Sequence, residues 1–561
     1  MRRDLLMNSI LLSSGLLVLY LVSSQFATHE AVNSFAIRGE PITLILVWLA
    51  FLLSIYLNRK AILALLKLSK VELLILLGIL CLALSLRQIA PHTHRLFFDE
   101  DIYLDMAKQI SSNLSSCLCN FGNGSTCFRC EPMKWPAGHP MLFAPLFLGK
   151  DGIEERSAFF FASLLSSVIP LISFVGVYLF TKSKRTAFLT SLVLALHPLL
   201  VLWGVTIAAE PTFLLFSALA LATLAIYVNE QNDRSLLLFL TSLSLLAYSK
   251  VEALAVVLVF LVFCLLRPIH LSRRTLIVYA FFFATLFPLF VHVNYGLRYE
   301  PWGASGEKIS LSYLIPNLSE NIKFFLGYEN FNRGIWKGKQ LYHPWPLTIL
   351  AVIGSVVLWR KQKYFFAITA SIFLVELLLY SSFYAGSVTY GVDVRYMIPT
   401  LLPLAVLAAS GIEGVGNFFR SSHISNFLAL ALLALCFLHF LPLIATPASE
   451  IEEASDARLY HDFATEFASR FNESCYFISH VSSIYTVLGK PAMQIWYVYR
   501  PELEEVLGKS CVIFDEGEWC AIRVRESGSC LEFPKRYKLE LLARLENTKH
   551  NKVYSFYRIV T

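Results

Sequence analysis

Five short stretches of the sequence carry side chains suited to one kind of chemistry. Asp99-Glu100 is an acid pair, and Lys134-Trp135-Pro136-Ala137-Gly138-His139-Pro140 sets a cation and an imidazole in a Pro/Gly turn. Glu210 precedes Pro211, Lys250 and Glu252 flank a tight turn, and Arg395-Tyr396 opens an apolar segment. A carboxylate at a helix start meets the positive end of the helix dipole, which favours the ionised form required of a general base or a metal ligand. Lys and Arg stabilise the charge that grows on a departing phosphate. Acids (Asp99, Glu100, Glu210) combined with cations (Lys134, Lys250, Arg395) therefore suit group transfer from a phosphate-bearing donor. Taken singly, each stretch also has an ordinary explanation as a cap, a turn or an anchoring side chain at the end of an apolar run.

The elements that must position these residues are membrane helices. The chain of 561 residues is 56% hydrophobic and only 16% charged, with a mean hydropathy of +0.60, outside the balance of soluble domains. Apolar stretches long enough to cross a bilayer fall at 5–26, 42–57, 71–90, 157–181, 186–204, 211–228, 235–249, 251–266, 275–294, 345–359, 364–383, 396–418 and 427–445. That gives about thirteen transmembrane helices, the first of which also fits a signal peptide with a flank at Ser23–Ala27. The net charge of +7 does not indicate nucleic acid, because the Lys and Arg residues fall in short clusters such as Arg59-Lys60, Lys182–Arg185, Arg273-Arg274 and Arg360–Lys363 between apolar runs. These clusters occupy alternate connections, which places them in the cytoplasm and the segments 91–156, 295–344 and 446–561 outside. The sequons at Asn113, Asn123, Asn317 and Asn472 all fall in the outside segments.

On this reading, residues 1–445 form the transmembrane domain and 446–561 a small α/β extracytoplasmic domain. The latter has strands at Cys475–His480, near 493–497 and 511–515, and a β-rich end from about 538. His480 and Asp515, at strand ends, read as structural polar residues. Cys117, Cys119, Cys127 and Cys130 form one external set of four and Cys475, Cys511, Cys520 and Cys530 another. Each set allows three disulfide connectivities, and the spacing of the first also suits zinc. After Asp99, an expected N-cap, Ile102, Met106 and Ile110 share one helical face and Asp101, Asp105 and Lys108 the other. This is an amphipathic pattern suited to lying in the membrane interface.

The order of these motifs, all on one side of the membrane, resembles the GT-C superfamily of polyprenyl-phosphate-sugar-dependent glycosyltransferases, in particular the protein O-mannosyltransferase and lipid A aminoarabinose transferase branch. The resemblance covers about residues 70 to 420 and rests on Asp99-Glu100, Lys134-Trp135-Pro136, Glu210-Pro211, Ser249-Lys250 and Arg395-Tyr396 with Pro399. Lys-Trp-Pro replaces the usual Lys-Pro-Pro, Glu210 stands where Asp is common, and the cysteine-bearing stretch 117–130 lies outside the pattern. No Trp-Trp-Asp run is present, which argues against en bloc glycan transfer to Asn.

The resemblance implies transfer of one sugar, with inversion, from a polyprenyl (dolichyl-type) phosphate to a hydroxyl of a protein, glycan or lipid acceptor on the extracytoplasmic face. Asp99 would be the base, with Glu100 and Glu210 positioning. Lys134, Lys250, Arg395, His139 and Tyr396 would bind the donor phosphate. No cofactor is required, with an optional divalent cation near Asp99. The membrane would be the plasma membrane in a prokaryote and the endoplasmic reticulum in a eukaryote. The competing reading is a transporter or lipid flippase, which would use ionisable groups near the bilayer midplane; the interior candidates are His197, His292, Glu376 and His439.

Overall fold

The computed structural model describes residues 2–26, 28–90, 99–266, 272–299, 308–327, 342–388, 392–445, 452–471, 475–517, 520, 528–548 and 551–560. The sequon at Asn472, the expected domain boundary at Thr446 and Ala27 of the cleavage-like flank lie outside them, as do parts of the segments 91–156 and 295–344.

In chain order the helices are α1 (Arg2–Gln25), α2 (Glu40–Leu66), α3 (Lys70–Ile89), α4 (Asp99–Asn113), α5 (Gly138–Phe143), α6 (Glu155–Thr181), α7 (Lys184–Leu196), α8 (Pro198–Trp203), α9 (Ala209–Glu230), α10 (Asp233–Ser249), α11 (Ala253–Leu265) and α12 (Arg273–Tyr299). They continue as α13 (Leu311–Leu326), α14 (Trp345–Lys361), α15 (Lys363–Ser381), α16 (Leu401–Phe418), α17 (Ser422–Ala445), α18 (Glu452–Ser469), α19 (Ser482–Val487), α20 (Pro501–Leu507) and α21 (Gly528–Arg536). Among the described residues, eight helical stretches are long and apolar enough to cross a membrane, and the chain is an integral membrane protein. Each apolar segment marked in the sequence coincides with helix, although 186–204 divides into α7 and α8 at His197-Pro198, where proline lacks an N–H and disfavours helix at the residue before it. The segment opening at Arg395 begins as a 3-10 helix, Val392–Thr400, and only then becomes α16.

The chain divides into two compact units. The first comprises residues 1–92, 134–139 and 160–447, and the second 93–133, 140–159 and 448–561. Within the first, α14 and α16 cross with their backbones in contact: a Cβ on Gly354 would overlap the carbonyl of Leu407, and one on Gly411 that of Leu350. Small residues at such a crossing let two membrane helices approach closely, and this one fixes the start of α16 behind Arg395. The interior polar residues are mostly paired locally. His292 Nδ1 lies 2.7 Å from Glu40 Oε1, and His197 Nε2 lies 3.3 Å from His343 Nδ1. Glu376 on α15 is fully buried, and neither of its carboxylate oxygens has a hydrogen-bond partner among the described residues.

The second unit is built on a seven-stranded sheet of order β2-β1-β4-β3-β5-β7-β6, with β1 (Leu118–Gly122), β2 (Cys127–Glu131), β3 (Tyr476–Ser479), β4 (Ala492–Gln494), β5 (Val512–Glu516), β6 (Lys538–Asn547) and β7 (Lys552–Val560). The strands β4, β3 and β5 are parallel and the remaining pairings antiparallel. The hairpin β1–β2 of the first loop joins this sheet through Phe121↔Met493 and Gly122↔Ala492. Its four cysteines form nested disulfides, Cys117–Cys130 and Cys119–Cys127, so these thiols are not a zinc site. In the C-terminal set only Cys520–Cys530 is bridged. Cys475 and Cys511 are thiols, and burial together with the hydrogen-bonding Cys511 pushes Cys475 up to about 12. Asn113 and Asn123 are exposed, whereas Asn317 is buried, with its amide donating to the carbonyls of Ser381 and Phe383, so that sequon serves as a structural bracket.

Asp515, at the end of β5, is 1% exposed, and its Oδ2 accepts from Tyr460, Tyr485 (2.7 Å) and Ser479 (2.8 Å). Burial pushes its carboxyl up to about 6, against these three hydroxyls, which pull it down. Its ordinary value is 3.8, so its stabilisation is fully present below that pH and is lost as the pH rises through about 6. The loss amounts to about 3 kcal/mol by pH 7. Asp515→Asn does not titrate, so the melting temperature of the variant minus that of the wild type is expected to increase by several degrees from pH 4 to pH 7. A difference that does not change with pH would remove Asp515 as its source.

Candidate functional site

The first unit gathers four of the expected site residues into one buried cluster. Glu210 lies in the first turn of α9, where Pro211 is tolerated because the first N–H groups have no intrahelical partner. Lys250 follows the last residue of α10 in extended backbone, and Arg395 and Tyr396 come from the 3-10 turn before α16. Lys250 Nζ lies 2.8 Å from Glu210 Oε1, and Arg395 Nε lies 3.5 Å from the same oxygen. These residues are 6%, 2% and 9% exposed in the order Lys250, Glu210, Arg395. Tyr380, on the last turn of α15, stacks on Tyr396 with ring centroids 4.8 Å apart and planes 11° from parallel. The Lys250 ammonium sits 5.4 Å and 4.9 Å from these two ring centroids and 3.5 Å from the Tyr380 hydroxyl. Arg395 lies over Tyr396 at 5.4 Å.

Two buried cations thus share one buried carboxylate over an aromatic floor. Buried charges require compensation, and Glu210 supplies it to both cations. Glu252, on the other side of the Lys250 turn, lies 3.6 Å from Nζ and is about a third exposed, so it draws less strongly on the ammonium than Glu210 does. An anion with planar oxygen pairs, such as a phosphate, matches the Arg fork and the Lys point charge together.

The turn carrying Lys134 and His139 is fixed from both ends. Ala137 N–H donates to Glu40 Oε2 at 2.8 Å, and Gly138 lies so close to the backbone of Tyr248 that no side chain fits there. Tyr248 is two residues before Lys250. His139 Nδ1 meets the Thr212 hydroxyl at 2.8 Å and Nε2 the carbonyl of Ile207 at 3.0 Å. A carbonyl only accepts, so Nε2 carries the proton and Thr212 donates to Nδ1. Burial brings this imidazole down to about 4, which keeps it neutral. Its ring is engaged in tying the turn to the start of α9. Lys134 lies 4.9 Å over Trp135, and burial together with the charge of Lys134 lowers Lys308. Sequence reasoning missed Tyr380, Lys308, Thr212 and Glu40; only Glu40, an acid before Pro41 at a span start, carried a visible signal.

Asp99 and Glu100 belong to the second unit, where Asp99 is the first residue of α4 rather than its cap. The interfacial reading of this helix requires correction. Asp101, Asp105 and Lys108, expected on a solvated polar face, are 2%, 0% and 3% exposed, and Met106 and Ile110 on the other face are buried too. Both faces are covered by protein. Glu155, His461 and Asp462 bring one potential metal ligand atom each within 4.8 Å of the others. Arg458 already pairs with both carboxylates at 2.9 Å, and this set is not assigned a cation.

No protein-family model and no curated protein sequence matches the chain. Solved structures are similar in fold. ArnT from Cupriavidus metallidurans in the apo state is 11% identical, with a TM-score of 0.55 over 87% of this chain and 97% of that one. The same protein bound to undecaprenyl phosphate is 12% identical, with a TM-score of 0.53 over 86% and 97%. The archaeal oligosaccharyltransferase AglB from Archaeoglobus fulgidus, in complex with an inhibitory peptide and a dolichol-phosphate, is 12% identical, with a TM-score of 0.46 over 87% and 74%. Shared with ArnT along nearly the whole of both chains, the fold of this protein is GT-C-like, as the order of acids and cations along the sequence implied.

Proposed function

We propose that the protein is a membrane glycosyltransferase that moves a single sugar from a polyprenyl-phosphate donor to a hydroxyl acceptor on the extracytoplasmic face, with inversion. The observation that carries this reading is the buried Lys250–Glu210–Arg395 cluster over Tyr380 and Tyr396 within a GT-C-like fold. The ArnT structure of similar fold was solved with undecaprenyl phosphate bound, which supports a lipid phosphate as the anion. Lys250 and Arg395 would hold that phosphate, with Tyr396 and Tyr380 flanking the ammonium and Lys134 and Lys308 adding positive field. Glu210 would keep the cations aligned when no donor is bound, and His139 would hold α9 in place.

Asp99 would act as the base. It would take the acceptor hydroxyl proton as that oxygen attacks the anomeric carbon, while the bond from that carbon to the phosphate oxygen breaks and the electron pair leaves on the polyprenyl phosphate. Glu100 would support Asp99. A divalent cation near Asp99 is optional in this scheme, and a chelator titration of turnover would detect one.

The direct test is reconstitution in vesicles with a panel of radiolabelled polyprenyl-phosphate sugars and hydroxyl acceptors. Consumption of one donor with matching formation of glycosylated acceptor is expected. Movement of a labelled lipid across the bilayer without any sugar transfer would favour the flippase reading instead.

A further inference from the structure

Asp101, Asp105 and Lys108 lie along one face of α4 and are engaged with other segments of the second unit, Asp105 and Lys108 both reaching Thr486. Asp101 Oδ1 lies 3.7 Å from His461 Nε2 on α18. Asp105 Oδ2 accepts the backbone N–H of Cys119 in β1 at 2.7 Å. Lys108 Nζ donates to the carbonyl of Gly124, at the tip of the disulfide-closed hairpin, and to that of Thr486, in α19, at 2.6 Å. Gly124 has φ +95°, and a Cβ there would overlap the carbonyl of Gly489, so only glycine brings its own carbonyl to the ammonium.

A buried ammonium is costly unless its hydrogen bonds are met, and an apolar side chain would fill the same space without that cost. What Lys108 adds over packing is directionality. Its two carbonyl acceptors come from segments far apart in sequence, and together they fix both the rotation and the axial position of α4. Burial holds its ammonium below the ordinary lysine value, against Asp105 and Asp151, which raise it.

We propose that Lys108 is the positioning residue for Asp99: by bonding Gly124 and Thr486 it sets the place of the carboxylate that opens α4. This gives the cysteine hairpin and the C-terminal sheet a shared role as the frame of the acid helix. The proposal rests on the assignment of Asp99 as general base.

The test is a double-mutant cycle on the full-length protein in nanodiscs, read as kcat at saturating donor and as affinity for polyprenyl phosphate. Lys108→Met is expected to lower kcat about ten- to a hundredfold, with lipid-phosphate affinity within about twofold of wild type. In an Asp99→Asn background it is expected to cause no further loss, because residues acting through one group are not additive. A wild-type kcat in Lys108→Met, or an undiminished loss in the Asp99→Asn background, overturns the proposal. Wild-type turnover in Asp99→Asn alone would instead show that the base assignment has failed. Asp105→Asn runs through the same cycle, so that a folding defect in Lys108→Met does not decide the result. A smaller but equally non-additive loss is expected there, and an additive one counts against positioning.

Discussion

Asp99→Asn is expected to cut sugar transfer by about 10³-fold while leaving polyprenyl-phosphate affinity within about twofold of the wild type. The amide keeps the size of the side chain and its place at the start of α4, but it cannot accept the acceptor's proton. The loss should fall on kcat, because the interaction removed exists only in the transition state. Single-turnover measurement with a pre-bound labelled donor separates this from weaker donor binding. Transfer at the wild-type rate would remove Asp99 as base.

The second large effect is a pair of opposite signs at one ion cluster. Lys250→Met leaves Glu210 with Arg395, at 3.5 Å, as its cation among the described residues, and removes the ammonium that lies against Tyr380 and Tyr396. Polyprenyl-phosphate affinity is expected to fall about a hundredfold or more, since deletion of one partner of a buried charge pair costs about 2–5 kcal/mol. Glu210→Gln does the reverse. It frees two buried cations of their shared carboxylate, so the empty protein should melt earlier while lipid phosphate binds at least as tightly as in the wild type. Isothermal titration of the two variants with polyprenyl phosphate checks both signs. Equal weakening by both substitutions would mean that the cluster is a structural ion pair and not an anion site.

Much of this cluster was visible in the sequence because ionisable residues are rare in apolar runs. Glu210, Lys250 and Arg395 stood out against lipid-soluble surroundings, and charge in the flanking connections led to the expectation that they share one side. Tyr380 did not stand out, since a tyrosine near the end of an apolar helix is ordinary. Its place became apparent only when α15 was seen to bring it onto Tyr396. The hydrophobic pattern of α4 correctly separated two faces, but periodicity says that faces differ, not what covers each. Asp101, Asp105 and Lys108 therefore looked solvated, whereas they are buried and bonded within the second unit. The C-terminal strands were legible from local alternation. The pairing of Phe121 with Met493 was not, because a contact between such distant residues leaves no trace in either segment alone. The cysteine spacing likewise predicted bridges without their connectivity.

The mixed origin of the seven-stranded sheet has a consequence for how the protein is made. On the ribosome, the hairpin β1–β2 emerges early, and its partner β4 follows only after every membrane helix has been synthesised. Through that interval β1 presents an open strand edge, the kind of surface that pairs promiscuously, and the nested disulfides close the hairpin on itself meanwhile. The hydrogen bond from Lys108 to the Thr486 carbonyl cannot form until that residue arrives. On the proposed function, a chain truncated before β4 is expected to bind polyprenyl phosphate at the Lys250–Glu210–Arg395 cluster and to transfer no sugar, which a binding and a transfer assay on the truncated protein would check.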